Sequence, residues 1–223
     1  MYFSQKILDF YQSLNINAKL PDEVVVMNPY RDKTALALCS KFYHKFYDDE
    51  GERIAILGIN PGRFGGGITG IPFTDPAKLE FECGIANDLK KKVELSADYI
   101  YTMINAYGGP ENFYRKYYFS ALSPLGFTKG EKNLNYYDIR ELQEAVEPFM
   151  VSCLQQQLAF GVRRDVCFCL GEGKNFNYLE NLNRRFHFFE KIVPLSHPRF
   201  IMQYRRKTLD QFVKSYVYQL SKA

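Results

Sequence analysis

The chain has 223 residues, 46% hydrophobic and 16% aromatic, with 29 Lys and Arg against 25 Asp and Glu for a formal net charge of +4. That is ample material for one packed core, and no stretch approaches the roughly 18 uncharged apolar residues of a membrane span. The modest positive charge permits an anionic partner without requiring one.

The N-terminal stretch MYFSQKILDFYQSLN spaces Ile7, Leu8, Phe10, Tyr11 and Leu14 along one helix face. It lacks the basic, apolar, then small-residue order of a signal peptide, so a cytoplasmic, intracellular protein is expected. A helix over 34–47 leads into an apolar strand over 53–59, and helical patterns follow at 85–106, 138–160, 175–186 and 207–220. Three further short, nearly continuous apolar strands lie between them at 118–122, 165–170 and 189–195. Alternating strand and helix implies an α/β fold, a three-layer α/β/α sandwich around a four-stranded parallel sheet. Asn28-Pro29 and Gly108-Gly109-Pro110 read as loops within one domain, 1–223, with residues 1–50 as a helical N-terminal extension.

Five cysteines, Cys39, Cys83, Cys153, Cys167 and Cys169, form an odd set without a Cys-x-x-Cys pair. They are expected to be reduced core thiols, with no metal or iron–sulfur site and no cofactor.

In open parallel sheets ligands sit beyond the carboxyl ends of the strands, which points to GINPGRFGGG, SALSPLGF, GEGKNF and SHPRFIMQYRR. The glycine loop has no Gly-Lys-Ser/Thr, and Asn60 stands where a dinucleotide fingerprint needs its second glycine. Asn60 is either a ligand-facing amide or the side chain of an Asx-turn. His197, fixed by Pro198 after the last strand, is either a hydrogen-bonded loop residue or a functional one; His44 and His187 lie in helical patterns and read as structural. From Arg199 to Lys207 there are four basic residues and no acidic one, interleaved with Phe200 and Tyr204. Such a run either grips phosphates and wedges a base stack or forms a solvated helix face, as Lys90, Lys91 and Lys92 are expected to do.

Together Gly58-Ile59-Asn60-Pro61-Gly62, Thr69-Gly70-Ile71-Pro72-Phe73, the Ser-Pro-Leu loop and His197-Pro198-Arg199 resemble the uracil-DNA glycosylase superfamily. The nearest branch by these motifs is the single-strand-selective monofunctional uracil-DNA glycosylases. The resemblance implies the same four-stranded fold, Asn60 positioning the attacking water, Phe73 stacking on an extruded base, and His197 stabilising the departing base. It implies substrate contacts from Gly58, Ile59, Gly62, Ser120 and Ala121, and DNA contacts from Arg63, Arg199, Tyr204, Arg205 and Arg206. In narrowly uracil-specific relatives a tyrosine matches Gly62 and excludes a 5-methyl group; glycine leaves room there.

Two departures stand out. The family's base-reading asparagine is matched by Ala121 in Ala121-Leu122-Ser123-Pro124-Leu125, and His-Pro-Arg-Phe replaces His-Pro-Ser-Pro-Arg. The expectation is a monomeric, monofunctional DNA glycosylase with DNA as its partner and no membrane association. A lesion-sensing DNA-binding module and a nucleoside hydrolase are the alternatives.

Overall fold

The computed structural model describes all residues, 1–223. Helix α1 (Phe3–Ser13) buries Phe3, Ile7, Leu8, Phe10 and Tyr11, and strand β1 (Val24–Met27) follows. Asp32 starts α2 (Lys33–Tyr47) by accepting the Ala35 N–H at 2.9 Å, and Leu38, Phe42 and Phe46 enter the core at helical spacing. Strand β2 (Arg53–Gly58) is buried at every position, as the apolar run Ile54–Leu57 predicts, with Arg53 buried at its amino end. Next come α3 (Gly66–Thr69), α4 (Pro76–Phe81), α5 (Leu95–Tyr107), α6 (Pro110–Tyr114) and β3 (Tyr117–Ala121). A hairpin of β4 (Gly126–Lys129) and β5 (Lys132–Leu134) precedes α7 (Arg140–Ala159), β6 (Val162–Leu170) and α8 (Lys174–Phe186). The chain closes with β7 (Lys191–Leu195), α9 (Pro198–Tyr204) and α10 (Leu209–Ser221).

The main sheet runs β3-β2-β6-β7 with every pairing parallel. Alternation along β3 separates two helical layers. Tyr118 points to one side, where its hydroxyl donates to Tyr11 of α1 at 3.0 Å, and Tyr117 to the other, where its hydroxyl donates to the Leu220 carbonyl of α10. From β2 the chain moves to β3 on one flank, then to β6 on the other, so the carboxyl ends of β2 and β6 border a topological switch point. A second, antiparallel sheet, β1-β4-β5, stands beside that edge.

This small sheet is absent from the sequence expectation, because its strands have only three or four residues each and are largely half-buried or exposed. The helix expected over 85–106 begins only at Leu95. Ahead of it, side chains satisfy the backbone locally: Asn87 donates to the Pro76 carbonyl at 3.0 Å, and Asp75 accepts the Glu94 N–H at 2.8 Å. Lys90, Lys91 and Lys92 are exposed on this irregular stretch and not on a helix face. Likewise β6 starts three residues early, at Val162, and Lys207 lies in a 3₁₀ turn ahead of α10. All five cysteines are free and buried, and burial raises their thiol pKa values, to about 12 at Cys83 and Cys169. No helix is long and apolar enough to cross a membrane.

Arg53 holds the amino end of the central strand. Its guanidinium donates to the carbonyls of Tyr114 at 2.9 Å and Gly51 at 2.7 Å, pairs with Asp49 at 2.6 Å, and packs against the stacked rings of Phe3 and Tyr47. Arg53→Met keeps the apolar stem but orphans two carbonyls, with an expected cost of about 2–4 kcal/mol. Urea denaturation measures that loss; turnover per folded molecule stays at the wild-type value, since Arg53 lies at the opposite end of the strand from the cavity.

Candidate active site

The segment after β2 folds back on itself within sixteen residues. Gly70 ends α3 at φ 71°, and the Thr69 hydroxyl closes the turn by donating to the Thr74 carbonyl at 2.6 Å and accepting the Ile71 N–H at 3.1 Å. Phe73 is thereby held at φ 55°, a left-handed conformation costly for a bulky residue. Its ring lies over Gly58, where a Cβ would come within 2.7 Å of Cζ, and packs against Phe119 at 5.3 Å between centroids. Gly58 therefore gives up its side chain to let the edge of the Phe73 ring rest on the strand end.

Asn60 makes neither an Asx-turn nor a free amide. Its Nδ2 donates to the Leu134 carbonyl at 3.0 Å and its Oδ1 accepts the Tyr136 N–H at 3.0 Å, partners 74 and 76 residues away. From there the Tyr136 hydroxyl donates to Asn175 Oδ1 at 2.9 Å, and Asn175 Nδ2 donates to the Leu170 carbonyl at the end of β6 at 3.1 Å. The carboxamide is locked in one orientation, with one Oδ1 lone pair uncommitted.

His197 caps α9. Its Nδ1 accepts the Arg199 backbone N–H at 3.2 Å, and because that N–H can only donate, Nδ1 is unprotonated and Nε2 carries the hydrogen. Burial, then the charge of Arg199, pushes its pKa down to about 4, so the ring is neutral at pH 7. The result is an uncharged N–H donor on a rigid mount.

These groups share a cavity of about 650 Å³ at the carboxyl edge of the sheet. Gly58, Ile59, Asn60, Gly62, Phe73, Ser120, Ala121 and His197 all line it, with Arg199 and Tyr204. Ser120 is fully buried and its hydroxyl makes no hydrogen bond; Ala121 offers only a methyl group. Phe200 and Tyr204 are 41% and 68% exposed. Three expected DNA contacts lie off the cavity wall: Arg63 rests on the Phe64 ring at 4.6 Å, Arg205 on the Phe200 ring at 5.5 Å, and Arg206 is exposed in the 3₁₀ turn.

Several lining residues escape a reading of the sequence. Asn133 accepts the Arg63 N–H at 3.3 Å and brings its amide nitrogen to 3.7 Å from where a Cβ on Gly62 would stand. Glu94 sits at the start of α5 without capping it; its carboxyl turns onto the glycine loop. Burial, followed by the Asp75 carboxylate, raises its pKa to about 7 against the opposing charge of Arg199. No group of three or more His, Cys, Asp or Glu side chains converges to hold a metal.

The family model of the Uracil DNA glycosylase superfamily matches residues 44–221. The chain is similar to the crystal structure of wild-type Pedobacter heparinus SMUG2 at 43% identity and a TM-score of 0.97, covering 100% of this chain and 98% of that one. No curated protein matches it.

NMR across pH 5.5–8 is expected to find His197 in a single neutral, Nε2-protonated tautomer without a titration step. Between pH 6.5 and about 4 the unfolded chain takes up a proton at this ring that the folded state refuses, so this residue lowers stability as pH falls through that window. A pH series of denaturation midpoints on wild type and His197→Asn isolates the contribution.

Proposed function

Because the chain belongs to the uracil DNA glycosylase superfamily and is a DNA N-glycosylase, we propose that it extrudes uracil or a related damaged base from DNA and hydrolyses its N-glycosidic bond, leaving an abasic site. The observation that carries this reading is the convergence of a locked amide, Asn60, and a neutral imidazole donor, His197, on one cavity.

The chemistry asks for those two groups. As the C1′–N bond breaks, its electron pair goes to the base and positive charge builds on the sugar. A fixed N–H donor at a base carbonyl stabilises the anionic leaving group more in the transition state than in the ground state. His197 supplies it through Nε2–H, and a neutral donor of this kind hands no proton to the base and needs none back. Asn60 Oδ1 accepts a hydrogen bond from water and orients its oxygen towards C1′; the oxygen bonds to that carbon and its second proton leaves to solvent. Phe73, its ring edge already held against Gly58, gives the base an aromatic face.

Arg63, Arg205 and Arg206, outside the cavity, and Arg199, on its wall, meet phosphates, while Phe200 and Tyr204, with ring centroids 5.6 Å apart, fill the gap left by the extruded nucleotide. No lysine in the first motif or beside His197 is available for a Schiff base, so the strand stays uncut.

The deciding assay uses labelled single- and double-stranded oligonucleotides carrying uracil, hydroxymethyluracil, hypoxanthine or xanthine. Base release is expected from wild type, falling by about 10²–10³ in both Asn60→Ala and His197→Ala with DNA binding retained. Salt-sensitive binding without release of any base would instead favour the lesion sensor. Replacing Arg205 and Arg206 together with alanine should lower the slope of log affinity against log salt by about 2. An unchanged slope would remove both residues from the interface.

A further inference from the structure

Ala121 leaves the cavity without the amide expected to read the base, yet one carboxyl is placed to serve it. Glu94 lines the cavity, and neither of its oxygens has a hydrogen-bond partner in the protein. The loop opposite makes room for it: a Cβ on Gly65 would stand 1.8 Å from Oε2, and one on Gly62 would stand 3.1 Å from Oε1. Behind it, the Glu94 backbone is fixed by Asp75, a fully buried residue whose carboxylate accepts the Glu94 N–H at 2.8 Å and the Lys78 N–H at 2.8 Å. A half-buried carboxyl with a fixed backbone, an accommodating glycine loop and no protein partner is a group arranged for a ligand.

Resting on the glycosylase reading above, we propose that Glu94 is a specificity-determining residue that reads the hydrogen-bonding edge of the extruded base. A carboxylic acid presents an O–H donor beside a C=O acceptor, the same pair that a carboxamide presents. Uracil offers the complement, a ring N3–H donor beside the O4 acceptor. In the acid form Glu94 thus does from α5 what an asparagine at position 121 would do from the end of β3.

The surroundings favour that form. Burial and the Asp75 carboxylate hold the proton on Glu94, Arg199 works against them, and its pKa rises to about 7. Asp75 and Arg199 are the charges that act on the carboxyl, while Arg63 and Lys92 both lie on the Phe64 ring. The reading group is therefore lost as pH rises through about 7, when the carboxylate replaces the donor with a second acceptor facing O4.

The test compares wild type, Glu94→Ala and Glu94→Gln on uracil DNA from pH 6 to 9, with melting temperature as a folding check. Glu94→Ala is expected to lower kcat/KM by about 10² or more, the penalty of an unread polar edge. Glu94→Gln keeps the donor–acceptor pair, so it should stay within about tenfold of wild type at pH 6.5. It should also abolish the decline above pH 7, which in wild type steepens towards about tenfold per pH unit. DNA carrying a stable abasic analogue has no base to read and should bind all three proteins equally. Full activity in Glu94→Ala, or a loss in Glu94→Gln as deep as in Glu94→Ala, overturns the assignment. Absence of base release by wild type on any substrate would overturn the glycosylase reading itself, which separates the two failures.

Discussion

The cavity depends on one chain of neutral hydrogen bonds, from Asn60 through Tyr136 and Asn175 to the Leu170 carbonyl. It ties the ends of β2 and β6 to the segment that follows β5, so two sheets of different type share a single edge. Each link is worth only about 1 kcal/mol net. Each is buried or half-buried, however, so removing one member leaves its neighbour unsatisfied and the loss spreads along the chain. Both polar atoms of the Asn60 amide are thus tied to the fold, which fixes its orientation before any ligand arrives.

His197 shows the same economy. One ring nitrogen holds the first turn of α9 and the other faces the cavity, so the helix that carries Arg199, Phe200 and Tyr204 is mounted on the imidazole itself. The exposed face of α9 and the imidazole that lines the cavity are mechanically one piece. Neutrality of the ring is a condition of that mount, because a second proton would take away the lone pair that caps the helix.

How much of this was legible in the sequence follows from the range of each interaction. The four parallel strands announce themselves because each carries a short apolar run into the covered sheet, and the glycine loop announces the edge because few other sequences can turn so tightly beside a ring. Asn60 and His197 were visible as residue types at strand ends, and the family resemblance gave them roles. Their partners were not: Leu134 and Tyr136 lie more than seventy residues from Asn60, on a hairpin too short to leave a periodic signal. Glu94 was silent for a related reason. A lone acid in a polar stretch reads as surface, and only the fold brings Gly62, Gly65, Asp75 and Arg199 around it.

The buried cysteines have a bearing on the conditions under which the protein works. All five thiols lie inside the core, where burial suppresses ionisation, and it is the thiolate that oxidants and alkylating agents attack. Oxidants and alkylating agents therefore meet no ready thiolate on this molecule.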